Sequence, residues 1–200
     1  MILGLNAVAN PIEYGVFSKS NAQYERWDGL GHIEMLPQKL ADIIASVDSI
    51  TGIFTILGPG NYTGIRLALT TAKMMAKVHD IPCKGLTLFE AYMMIQPIRQ
   101  LTLLSSPSRK GWLNVQLFQS NQDGHDAISS IQQVAVDAYD AWLNKFESPL
   151  FCAHFGSGLP TTNYDVTSVS LNLMDVAMVL DFDDKAVHPA VAPVYSFPAV

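Results

Sequence analysis

The chain has 200 residues, of which 49% are hydrophobic, and 12 Lys and Arg against 18 Asp and Glu leave a formal charge of -6. This length and apolar content allow one large domain or two small lobes and exclude a disordered chain. The acidic balance argues against autonomous nucleic-acid binding, because a protein that grips a polyanion alone normally carries the opposite charge.

The two cysteines, Cys83 and Cys152, lie far apart and belong to no CxxC or Cys/His cluster. They therefore predict neither a disulfide framework nor a zinc site, and they are typical of small buried residues in a reducing compartment. No basic leader and no apolar run of membrane-spanning length is present, so the sequence predicts a cytoplasmic protein without a membrane partner.

The first half alternates short apolar runs with helical patterns. Its predicted strands are Ile2–Leu5, Tyr14–Phe17, Gln23–Trp27, Gly52–Leu57 and Cys83–Leu86. Apolar residues at helical spacing over 33–47 predict a first helix, with Pro37 in its first turn or at a kink. A second helix is predicted over 65–79, and a third begins where Thr87 and Glu90 have the spacing of a capping box.

The second half repeats this order in abbreviated form. Its predicted strands are Leu101–Ser105, Trp112–Phe118, Ile131–Ala135 and Leu150–His154. A helix is expected from about Asp137 to Lys145, and Ser168 is predicted to cap a last helix that runs through Val176 to Leu180. Strands that alternate with helices in this way predict α/β architecture, with helices packed on the faces of mixed sheets.

A glycine-rich segment, residues 58–64, joins a buried strand to the second helix. Its amides could hold a phosphate or another anion at the positive end of the helix dipole. The glycines could equally serve a sharp turn where backbone approaches backbone. Neither a Walker sequence nor the GxGxxG spacing of a dinucleotide fold is present, so the segment alone does not establish nucleotide chemistry.

The second helix has an unusually wide apolar arc. Arg66, Thr70, Lys73 and Lys77 share one narrow face at 100 degrees per residue, and apolar side chains cover most of the remainder. Such a helix is covered on a second side, either by another subunit or by a second lobe of the same chain. Adjacent Met74 and Met75 favour the subunit, since methionine adapts to an irregular interface.

Several segments resemble the TsaB (YeaZ) family. The glycine segment is similar to its GPGSFTGLR signature and reads Gly58-Pro59-Gly60-Asn61-Tyr62-Thr63-Gly64-Ile65-Arg66. The remaining similar segments are His32 with Leu36-Pro37, Ala72-Lys73, and Thr87-Leu88-Phe89-Glu90-Ala91. Roughly residues 1–95 are covered well, and the later matches are short: Arg109-Lys110-Gly111, Gly156-Ser157-Gly158 and Pro193-Val194-Tyr195.

The resemblance implies a two-lobed, ribonuclease H-like fold related to actin, Hsp70 and sugar-kinase ATPases. An N-terminal lobe is expected over residues 1–100 and a reduced C-terminal lobe over 101–200. The implied role is that of a non-catalytic partner of TsaD, a paralogous transferase, in making threonylcarbamoyladenosine in tRNA. A TsaE ATPase completes the assembly, and tRNA is contacted only through the complex.

The same resemblance implies that the two paralogues meet through their first two helices. The interface residues expected on these helices are His32, Met35, Leu36, Leu40, Leu67, Leu69, Lys73, Met74 and Met75. The glycine segment from Gly58 to Gly64, together with Arg66, is a candidate nucleotide or anion contact. In the absence of the partner, the same helices could form a homodimer.

Catalytic machinery is not predicted. ATPases of this fold carry an Asp after the first strand, where this chain has Asn6, which cannot supply an anionic metal ligand. No two histidines have the HxxxH spacing expected of a TsaD metal site. The serines Ser105, Ser106 and Ser108 lack a GxSxG context. We therefore expect no metal, cofactor or catalytic residue, and an ATPase, kinase or peptidase acting alone is the alternative function.

Overall fold

The computed structural model describes residues 1–9, 11–28, 34–47, 49–96, 101–121, 124–146, 150–158, 160 and 162–182. The chain divides into two compact units. Unit 1 comprises Met1–Ala91 and the segment that begins at Asn172, and unit 2 comprises Tyr92–Leu171. The first boundary is close to the predicted division at residue 100, but the last helix belongs to unit 1 rather than to the second half.

Unit 1 contains a five-stranded mixed sheet in the order β3-β2-β1-β4-β5. These strands are β1 (Ile2–Asn6), β2 (Ile12–Phe17), β3 (Ala22–Trp27), β4 (Gly52–Ile56) and β5 (Cys83–Leu86). Strand β1 pairs antiparallel with β2 and parallel with β4, and β4 pairs parallel with β5. The loops that follow β1 and β4 therefore leave the same edge of the sheet.

The helices of unit 1 are α1 (Leu36–Ala45), α2 (Tyr62–His79) and α5 (Leu173–Val179). Helices α1 and α2 share one core cluster with the sheet, whose members include Leu3, Leu5, Tyr14, Ile53, Leu36, Leu40, Ala68 and Ala72. Helix α5 packs against β1 and β2. Helix α5 therefore belongs to the same unit as the first strands of the chain.

Unit 2 contains a six-stranded sheet in the order β11-β10-β6-β7-β8, with β9 also paired to β7. Its strands are β6 (Leu101–Pro107), β7 (Trp112–Ser120), β8 (His125–Ala127), β9 (Gln132–Ala135), β10 (Leu150–Phe155) and β11 (Val166–Val169). A 3₁₀ turn over 136–138 leads into α4 (Tyr139–Leu143), and α3 (Leu88–Ile95) spans the boundary between the units. No helix in the described ranges is both long and apolar enough to cross a membrane.

Most predicted elements are confirmed, and Pro37 lies in the first turn of α1 as expected. The capping box is also confirmed, because Thr87 Oγ1 accepts from the Glu90 amide at 3.0 Å and Glu90 Oε2 accepts from the Thr87 amide at 2.9 Å. The predicted cap at Ser168 is wrong. That residue lies in β11, and Asn172 caps α5 instead, accepting from the Met174 amide at 3.0 Å.

Candidate partner-binding helix and glycine loop

The glycine segment closes tightly between β4 and α2. Asn61 is the N-cap of α2, and its Oδ1 accepts a hydrogen bond from the Gly64 amide at 3.0 Å. The carbonyl of Gly58 accepts from the Leu88 amide at 2.7 Å, and Gly58 itself has φ of 110°. These bonds fix both ends of the segment within unit 1.

Gly60 is required by a close approach to the β1–β2 turn. A Cβ placed on Gly60 would lie 2.2 Å from the carbonyl oxygen of Val8, and that oxygen accepts from the Asn61 amide at 2.7 Å. A side chain cannot fit there without moving backbone. The geometry therefore supports the interpretation of the segment as a sharp turn, and the amides of Asn61 and Gly64 are already bonded within the chain.

The polar groups near the end of β1 are also bonded to one another. Asn6 Oδ1 accepts from the Val8 amide at 3.3 Å, and Asn6 Nδ2 donates to Glu13 Oε2 at 3.1 Å. Glu13 Oε1 lies 3.3 Å from Arg26 Nε and accepts from the Tyr24 hydroxyl at 2.8 Å. Burial, together with this hydrogen bond to Glu13, raises the pKa of Tyr24. The side-chain amide of Asn6 thus links the Val8 amide in the β1–β2 turn to Glu13 on β2, and the Glu13 carboxylate is paired with Arg26.

Helix α2 turns one side to the core and the other to solvent. Its buried residues are Gly64, Ile65, Ala68, Leu69, Thr71, Ala72 and Ala76. We call the opposite side the outer arc; its basic flank is Arg66, Lys73 and Lys77, and its apolar flank is Leu67, Met74 and Val78. Met74 is 64% exposed and Val78 is 77% exposed, whereas Leu67 is half-buried.

The predicted interface residues separate into two groups. Met35, Lys73 and Met74 are exposed and remain available to a partner, whereas Leu67 and Met75 are half-buried and pack against the core cluster of unit 1. Three others require correction, because they are enclosed by unit 1 itself: Leu36, Leu40 and Leu69. Their apolar side chains fill the unit's own interior. His32 lies outside the described residues.

The Tyr62 and Arg66 side chains form an ordered pair at the start of the outer arc. Arg66 Nη1 donates to the Tyr62 hydroxyl at 2.7 Å, and the guanidinium lies 5.2 Å from the centre of the tyrosine ring. The ring, 48% exposed, therefore supports the cation by both a hydrogen bond and a cation–π contact. This pair keeps a positive charge in a defined place at the N-terminal end of the helix.

Unit 2 holds a serine–histidine pair that the sequence pattern did not reveal. Ser105 Oγ lies 2.9 Å from His154 Nδ1, and both residues are fully buried. Burial lowers the pKa of His154 and raises that of neighbouring Tyr139 to about 12. The two residues are register partners on the parallel strands β6 and β10, 49 positions apart, so no local motif could join them. Their complete burial keeps the serine away from any substrate.

Three comparisons relate the chain to known proteins. A family model described as TsaD, tRNA N6-adenosine threonylcarbamoyltransferase, matches residues 32–154. Among solved structures, a Pseudomonas aeruginosa protein described as uncharacterized, with similarity to peptidase YeaZ, is 15% identical, with 98% of this chain and 99% of that chain covered and a TM-score of 0.68. YeaZ from Pseudomonas aeruginosa is 14% identical, with 89% of each chain covered and a TM-score of 0.62. No curated protein matches the chain in sequence.

The two structural likenesses establish a shared fold, and the predicted α/β class with two mixed sheets is confirmed. The family model covers more than half of the chain, including α1, the glycine segment and α2. This match supports involvement in the biosynthesis of threonylcarbamoyladenosine in tRNA. The chain therefore belongs to the family that the TsaD model describes, and its resemblance to TsaB (YeaZ) is confirmed.

Proposed function

We propose that this chain is a non-catalytic subunit that binds and activates a TsaD-like threonylcarbamoyltransferase. The observation that carries the proposal is the apolar flank of α2, where Met74 and Val78 are largely exposed. Two large apolar side chains on one helix lose contact with water when a partner covers them, which favours association. Half-buried Leu67 would extend the contact along the same flank.

Helix α2 is suited to recognition because its own position is fixed. It has 18 residues, its first turn is capped by Asn61, and the small side chains of Ala68, Ala72 and Ala76 seat it in the core of unit 1. A rigid helix presents its outer side chains with little loss of conformational freedom on binding. The exposed methionine Met35, just before α1, gives a second adaptable contact on the same unit.

The groups that would serve catalysis in an ATPase of this fold have structural roles here. Asn6 bonds the Val8 amide and Glu13, and Glu13 is paired with Arg26. The Asn61 amide donates to the Val8 carbonyl, and the Gly64 amide donates to the Asn61 side-chain oxygen. These contacts support a subunit that acts by binding. In the proposed cytoplasmic assembly, a TsaE-like ATPase joins the pair and tRNA is contacted through the complex.

The proposal is tested by Met74→Asp with a purified TsaD-like paralogue from the same organism. A carboxylate buried in the apolar part of an interface costs about 2–4 kcal/mol, so the affinity should fall roughly 30- to 1,000-fold. Modification of tRNA by the reconstituted complex should fall with it. Thermal unfolding of the isolated chain should change little, because Met74 is exposed.

The matched control is Met178→Asp, which places the same charge on an exposed methionine of α5 in the same unit. It should leave affinity and modification unchanged. An unchanged affinity for Met74→Asp would remove α2 from the interface, and equal losses from both variants would indicate a general effect of added negative charge.

A further inference from the structure

The basic flank of α2 has no acidic partner among the described residues. Arg66, Lys73 and Lys77 are exposed, and within the described part of the chain none of them forms an ion pair with a carboxylate. Helix α2 itself contains no acidic residue. Three of the chain's 12 cationic residues therefore lie together on one flank of a protein whose formal charge is -6.

Within the isolated unit these cations have only modest favourable interactions: Arg66 contacts Tyr62, and Lys77 lies in the last turn of α2, where the helix dipole favours a positive charge. Lys73 and Lys77 are four positions apart on a helix, a spacing at which like charges repel by a few tenths of a kcal/mol. Arg66 is held in line with them by Tyr62. A partner surface with complementary potential would convert this repulsion into attraction.

The apolar flank decides which class of partner fits. At about 100° per residue, the basic flank and the apolar flank are each about 40° wide, and their centres lie about 100° apart around the helix. A surface that covers one flank therefore also contacts the other. A nucleic acid would pair its phosphates with the cations but leave Met74 and Val78 in contact with polar groups. A protein with an apolar ridge beside carboxylates satisfies both flanks.

We infer that the partner surface that docks on α2 carries Asp or Glu carboxylates opposite Arg66, Lys73 and Lys77, beside an apolar ridge that covers Met74 and Val78. This inference rests on the proposed docking function and adds the charge of the partner. A second copy of this chain, docked through its own α2, would match this surface less well. In a two-fold antiparallel pair of α2 helices, like flanks face each other, so the six cations would meet on one side.

The test is the double variant Lys73→Glu with Lys77→Glu, measured against the same purified TsaD-like paralogue at several salt concentrations. The wild-type affinity should fall as salt rises, because the attraction is screened. The double reversal should weaken binding about tenfold at low salt, and its affinity should no longer fall with added salt. Lys73→Gln with Lys77→Gln should lie between the two. The control, Lys110→Glu with Lys145→Glu, makes the same net change on exposed residues of unit 2 and should bind like the wild type.

The outcomes separate this inference from the docking proposal. If Met74→Asp weakens binding and the lysine reversal does not, docking on α2 stands and the acidic partner surface is wrong. If neither variant weakens binding, both ideas are wrong. If the reversal abolishes tRNA binding by the isolated chain but not binding of the paralogue, the flank serves nucleic acid. If sedimentation shows a wild-type homodimer that the reversal dissociates while paralogue binding is unchanged, the occupant is a second copy, and the inference is again overturned.

Discussion

The two units differ in which side chains depart most from the usual distribution. Unit 1 exposes apolar side chains on α2, with Met74 and Val78 largely in solvent. Unit 2 buries two large polar side chains, His154 on β10 and Tyr139 at the start of α4, whose Nε2 and hydroxyl make no hydrogen bond to a described residue. Unit 1 also buries one small group of this kind, Thr55 Oγ1 on β4. We expect the first departure to affect the binding of a partner and the second to affect the conditions under which unit 2 stays folded.

The two departures have different consequences because an exposed apolar group and a buried polar group contribute differently to the free energy of folding. An exposed methionine leaves the folded unit intact and gains free energy only when another surface covers it. A buried polar atom without a partner loses its hydrogen bonds to water on folding and lowers the stability of its own unit by about 1–3 kcal/mol. Variants in unit 1 should therefore separate folding from binding, whereas variants in unit 2 should change stability alone.

The largest expected effect contrasts Leu40 with Met74, which sequence analysis placed in one interface. Leu40 is fully buried, so Leu40→Ala should lower the free energy of unfolding by about 2–5 kcal/mol. Met74→Ala should change it by about 0.5 kcal/mol or less but weaken binding of the TsaD-like paralogue. Denaturant titration and binding assays on both variants measure the two effects. Equal stability losses in the two variants would contradict the separation of core from outer arc.

The next effect is a dependence of unit 2 on pH. Burial lowers the pKa of His154 in the folded protein below its ordinary value of about 6.5. As the pH falls, His154 therefore binds a proton in the unfolded chain at a higher pH than it does in the folded protein. The stability of unit 2 should be complete above about pH 6.5 and should decline below it by at most about 1.4 kcal/mol per pH unit, until the folded pKa is reached. Hydrogen exchange of β6 and β10 amides at several pH values measures this decline.

The control for the pH effect is His154→Gln, which keeps a polar side chain but cannot be protonated. Its β6 and β10 amides should show a smaller change in stability between pH 7 and pH 5 than those of the wild type. The wild-type amides of β1 and β4 in unit 1 serve as an internal reference. An identical pH dependence in His154→Gln and wild type would assign the effect to other groups.

Sequence patterns predicted β1, β2 and β4 of unit 1 because each is a largely buried apolar run bounded by turn residues. Helical periodicity also located α1 and α2. Periodicity cannot say what an apolar stripe faces, and for that reason Leu36, Leu40 and Leu69 were assigned to a partner when they fill the unit's own interior. Met74 and Val78 could be separated from the core-facing residues of α2 only after the structure showed which side of the helix contacts the core.

The polar interior of unit 2 lay beyond any local pattern. Ser105 and His154 meet through the parallel register of β6 with β10, which depends on how the whole sheet is assembled. The strand β11 was missed for a related reason. It has four residues with mostly exposed side chains, so it lacks the apolar alternation that marks a half-buried strand, and Ser168 within it resembled a helix cap. Topology, rather than composition, determines both features.

The smallest expected effect is that of Tyr139→Phe in unit 2, which Tyr14→Phe in unit 1 serves to calibrate. The Tyr14 hydroxyl donates to Glu25 Oε2 at 2.5 Å, so Tyr14→Phe should lower the free energy of unfolding by about 1–3 kcal/mol. The Tyr139 hydroxyl is buried near the Ser105 hydroxyl but makes no well-formed hydrogen bond to a described residue, so Tyr139→Phe removes a poorly satisfied group. That variant should be unchanged in stability or more stable by up to about 1 kcal/mol. Denaturant unfolding of the two variants under identical conditions measures the difference, and an equal loss from both would show that unit 2 satisfies its buried hydroxyl as well as unit 1 does.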